Sequence, residues 1–77
     1  MKLQIESTEK IVTLDGVSMR LWEGTTESGV PVVAFVARVA VPENRPQEEY
    51  RIFETELRQL RKPSPELAGG FDARMVS

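Results

Sequence analysis

The sequence predicts an α+β domain: a three-stranded antiparallel β-meander packed against one α-helix, with short extra strands at the termini. Three observations carry the prediction. Asp15-Gly16 stands between two alternating apolar runs, the strongest short-range hairpin signal, because a type I′ turn needs positive φ at both central residues. The run from Val30 to Val41 has strand character and is apolar on both alternating faces. Tyr50, Phe53, Leu57 and Leu60 recur at helical spacing and make one apolar stripe.

Taken in order, Leu3 and Ile5 alternate with Lys2, Gln4 and Glu6, which reads as a short edge strand over 2–6. The hairpin follows, with strands over 10–14 and 17–23. A two-residue loop sets Leu14 opposite Val17, Val12 opposite Met19 and Lys10 opposite Leu21. Val12, Leu14, Val17, Met19 and Leu21 then share the core face, and Ile11, Thr13, Ser18, Arg20 and Trp22 the other. Residues 24–29 read as a loop, and a third strand over 30–41 returns antiparallel. Its Phe35 set, which includes Val33, is placed inward, because Arg38 is the only charge on the strand and belongs to the opposite set with Val32, Ala34 and Val36.

A helix over 45–61 begins with Asn44 as N-cap and Gln47 as its capping-box partner, and ends at Lys62-Pro63. Its apolar stripe is assigned to the Phe35 face of the sheet. Ser64 can cap one further turn over 64–68, with Pro65 at the first helical position. The tail 71–77 offers a short strand at 72–76.

Composition excludes more than it assigns. A 77-residue chain of 8.7 kDa is one domain, of a size that buries only about 60% of the surface its unfolded form exposes. A strand apolar on both faces is hard for so small a chain to cover, so a homodimer is expected. With no cysteine and no histidine, disulfides, thiolate nucleophiles, the usual zinc sites and the commonest general base are unavailable. The expectation is therefore a non-catalytic protein with no cofactor and no metal. A net charge of -2 argues against a duplex nucleic-acid partner. No apolar run approaches the roughly 20 residues of a membrane span, and the alternating N-terminus is unlike a signal peptide, so a cytoplasmic location is expected.

The candidate interface is the second sheet face: Ile11, Arg20, Trp22, Val32, Val36 and Arg38. Tryptophan and arginine are the residue types most enriched among binding hot spots. The structural alternative is ordinary cover, with Trp22 lying across the sheet and the tail folded over the rest. A sharper reading places an anionic nucleotide on Arg20 and Arg38 with its base stacked on Trp22. Glu48, Glu49, Glu54 and Glu56 share their helix with Arg51 and Arg58, which makes a solvated face or a docking surface a better reading than catalytic carboxylates.

The stretches from Ile11 to Val32 and from Val36 to Val41, together with Pro63-Ser64-Pro65-Glu66 and Arg74-Met75, resemble small uncharacterised proteins encoded by tailed bacteriophages and prophages. The resemblance carries no site residues over. It implies the host cytoplasm as location and offers three uses: binding and blocking a host protein, including components of antiviral defence; sequestering a nucleotide signal; or a structural part in virion assembly.

Overall fold

The computed structural model describes residues 1–68. Strands β1 (Leu3–Leu14), β2 (Val17–Thr26) and β3 (Pro31–Val36) form one antiparallel sheet in the order β1-β2-β3, followed by helix α1 (Gln47–Leu57) and the single turn α2 (Pro65–Ala68). The expected α+β meander with one main helix is the observed architecture. The tail 71–77, with its strand at 72–76, lies outside the described residues.

The first hairpin follows its turn chemistry. Asp15 and Gly16 have φ of 50° and 79°, the left-handed pair that a type I′ turn requires, and Leu14 and Val12 face Val17 and Met19. Beyond Ile11 the register departs from expectation. Ile11 faces Arg20 and Ser7 faces Trp22, so Thr8, Glu9 and Lys10 together oppose Leu21 alone. Strands at 2–6 and 10–14 are thus one strand carrying an enlarged β-bulge.

A bulge removes ladder partners, and the freed groups must be satisfied elsewhere. The buried Thr8 hydroxyl donates to the Leu21 carbonyl at 2.7 Å, and Arg20 Nη1 donates to the Thr8 carbonyl at 2.8 Å. On the outer edge, Ser7 O accepts from Arg61 N at 3.2 Å and Glu9 N donates to Arg61 O at 3.0 Å, a one-residue parallel bridge.

Strand β2 continues through the expected loop start to Thr26, with Gly24 opposite Ile5 on one side and Val32 on the other. A β-carbon at Gly24 would stand 1.9 Å from the Gln4 carbonyl oxygen, so the close approach of β1 requires glycine there. Strand β3 ends at Val36 instead of Val41, and residues 37–46 cross irregularly to the helix.

The helix is shorter than expected at both ends. Asn44 adopts φ 64° in a turn and does not cap it; Glu49 N donates to Pro46 O at 3.0 Å where the helix begins. At the other end Arg58 is the cap, and residues 59–61 leave the helix to reach the bulge.

The helix also lies on the other side of the sheet from the one expected. Phe53, Leu57 and Leu60 line a groove with Arg20, Trp22 and Val36, whereas the Phe35 face, shared by Leu21 and Glu23, meets the C-terminal segment through Ser64. Two physical reasons account for the difference. Arg38, the charge that made the Trp22 face look exposed, lies beyond the end of β3. Trp22 is also the largest apolar group on the sheet, and an aromatic of this size has of the order of 200 Å² to bury.

Among the described residues the core is small and lies at one end of the sheet. Leu21 is fully buried and Leu67 nearly so, but Val17, assigned to the core face, is 46% exposed. Val12, Leu14 and Met19 are half-buried.

Candidate functional site: a groove and the clasp beside it

The groove between the Trp22 face and α1 has a volume of about 630 Å³. Strand alternation sends Arg20, Trp22 and Val36 into it from β2 and β3. Arg38 enters from the crossover that follows β3, and α1 adds Phe53, Glu56 and Leu57. The structure therefore brings together Arg20, Trp22, Val36 and Arg38 from the candidate interface. Ile11 and Val32 share the sheet face by register but lie outside the groove, and Ile11 is 55% exposed.

Trp22 and Val36 are half-buried and Arg38 is exposed. Arg20 spends one guanidinium nitrogen on the bulge, which positions the rest of the group at the groove. No residue of α1 is buried, so the apolar stripe of the helix is only partly used by the chain itself. Of the acidic helix residues, Glu49 pairs with Arg45, Glu48 and Glu54 are exposed, and Glu56 sits at the groove. Among the described residues no cluster of three or more carboxylates suited to a metal ion occurs, and no helix is long and apolar enough to cross a membrane.

Beside the groove lies a polar cluster that sequence reasoning missed. Glu23 is 9% exposed. Its Oε1 accepts from Arg61 Nη1 at 2.6 Å and from Ser64 N at 2.7 Å, and its Oε2 accepts from Ser64 Oγ at 2.9 Å. Arg61 Nη2 also donates to the Glu23 carbonyl at 3.3 Å, and Arg61 Nε lies 3.6 Å from Glu6 Oε2. Lys10 Nζ donates to Leu67 O at 2.9 Å on the far side of the cluster. The missed signal was a charge on the core face: Glu23 follows Leu21 by two residues, and alternation puts both on one side. The expected cap at Ser64 is present, with Leu67 N donating to Ser64 Oγ at 3.3 Å.

Burial works against the Glu23 charge and is the largest single influence on it. The Ser64 amide, the Arg61 side chain, the Ser64 hydroxyl and the Arg61 charge together outweigh it, and hold the carboxyl below its ordinary value of 4.5. A depressed folded-state value means that the stabilisation is complete above pH 4.5 and is lost as pH falls through the native value. Thermal midpoints should therefore be flat near neutral pH and fall in acid, and Glu23→Gln should flatten the acid limb. An identical acid limb in both proteins would assign the loss to other carboxylates.

No protein-family model matches the chain, and no curated protein or solved structure matches it.

Proposed function

We propose that this protein is a non-catalytic binding protein that acts by protein–protein contact through the Trp22 groove. The observation that supports this most is the apolar stripe of α1, none of whose residues is buried, facing Trp22 and Val36 across an open groove rimmed by Arg38 and Glu56. An apolar floor with a tryptophan anchor and a charged rim is the anatomy of a protein interface. A second copy of the chain is the simplest occupant. The sequence resemblance to phage and prophage proteins makes a host protein, such as a defence component, the functional one.

Light-scattering molar mass after size exclusion tests self-association. A dimer mass that holds as concentration rises is expected for the wild type, and Trp22→Ala with Val36→Asp should reduce it to a monomer. A wild-type monomer throughout would overturn the homodimer, and an unchanged mass in the double mutant would remove the groove from the interface.

A second reading has one observation in its favour: Arg20, Trp22 and Arg38 line the same groove, as an anionic nucleotide would need. Titration with a nucleotide panel should then shift the fluorescence of Trp22, the single tryptophan, and Arg38→Ala should abolish the shift. Retained binding in that variant would remove Arg38 from the site.

A further inference from the structure

We infer that α1 is a hinged cover over the groove and that the Glu23–Arg61–Ser64 cluster is the clasp that sets its closed position. The helix body has no buried residue. Its N-terminal contacts, Arg45 with Glu49 and Tyr50 Oη with Pro42 O, are local to residues 42–50. Hydrogen bonds to the sheet gather instead just past its C-terminal end. Ser7 Oγ donates to Gln59 O at 3.3 Å, Arg61 bridges the bulge at Ser7 and Glu9, and Glu23 takes the side chains of Arg61 and Ser64.

Arg61 belongs to both assemblies. It lines the groove with Leu60 and Gln59, and it donates into the buried Glu23 carboxylate. Hydrogen bonds to an ionised partner are roughly twice as strong as neutral ones, so the clasp holds this segment to the sheet more firmly than the neutral Ser7–Gln59 contact does. The crossover 37–46 at the other end has no regular structure apart from bends, and so can act as the hinge. Loosening the clasp lets the helix swing away from Trp22 while the three-stranded sheet persists.

This inference rests on the groove as the partner site, and it supplies that site's regulation: a partner that competes for Arg61 or Ser64 opens the cover as it binds. Its test needs no partner, so it reads out independently of the groove assignment. Glu23→Gln removes the charge at constant volume, and Arg61→Met removes the guanidinium but keeps the apolar stem. In both variants, at neutral pH, acrylamide quenching of Trp22 should rise. An 11-residue helix is marginal in water once it leaves the sheet, so amide exchange over residues 49–57 should quicken roughly tenfold to a hundredfold relative to wild type, while amides of β2 paired with β1 and β3 keep their protection. Unchanged quenching and helix exchange in both variants would overturn the clasp. Loss of protection in the sheet to the same extent as in the helix would overturn the hinge, because the cluster would then be part of the global fold.

Discussion

Gly24→Ala is expected to be among the most damaging single-methyl changes this protein can suffer. The added carbon would meet the Gln4 carbonyl oxygen at 1.9 Å, with the Gln4 carbonyl carbon and the Ile5 α-carbon both at 2.8 Å. All three obstacles are backbone, so no rotamer change relieves the overlap and β1 itself must move. Overpacking typically costs about 1–3 kcal/mol, and a clash with main chain places this change at or above the upper end. Urea unfolding followed by Trp22 fluorescence would show the midpoint falling sharply. A variant within experimental error of wild type would mean that β1 slides away freely, and that the Ile5–Gly24 pairing contributes little.

Leu21→Ala should be comparably severe for the opposite reason, since it empties the core. Leu21 is fully buried and only Leu67 approaches it among the described apolar residues. Leucine-to-alanine changes at such positions cost about 2–5 kcal/mol. That is a large share of the total for a domain of this length, whose stability is of the order of 5 kcal/mol. The outcome expected from far-ultraviolet circular dichroism is a population substantially unfolded at 37 °C. Val17→Ala, at the exposed tip of the same face, should shift the midpoint much less, and equal effects at the two sites would refute a core confined to one end of the sheet.

The contrast between these two positions marks what was legible in the sequence. Local chemistry was: Asp15-Gly16 carried its turn and the register next to it, the helical stripe was seen, and Ser64 with Pro65 announced the final turn. Long-range geometry was not. The apolar phase changes between Leu3 and Ile5 and Val12 and Leu14, which reads equally as a break between two strands, so nothing local declares that Thr8, Glu9 and Lys10 bulge within one strand opposite Leu21; the bulge is sustained by Arg61, more than fifty positions away. The helix side was misassigned through Arg38, whose charge looked like part of a strand face until the strand proved to end at Val36. Four of the six candidate interface residues nonetheless meet in one groove, because strand alternation alone groups Arg20, Trp22 and Val36.

The wrap of the chain around the β1 edge has a consequence for the order of folding. Both hairpins close locally, between strands adjacent in sequence, and such pairings form on a timescale of about 1–10 μs. The contacts that cover the sheet instead span 38 residues from Glu23 to Arg61 and 57 from Lys10 to Leu67, separations at which loop closure delays their gain. In a folding chain the meander thus closes before its cover docks, with Leu21 and Trp22 both bare. Every newly made molecule therefore passes through an interval in which both of its apolar faces are available to whatever is nearby.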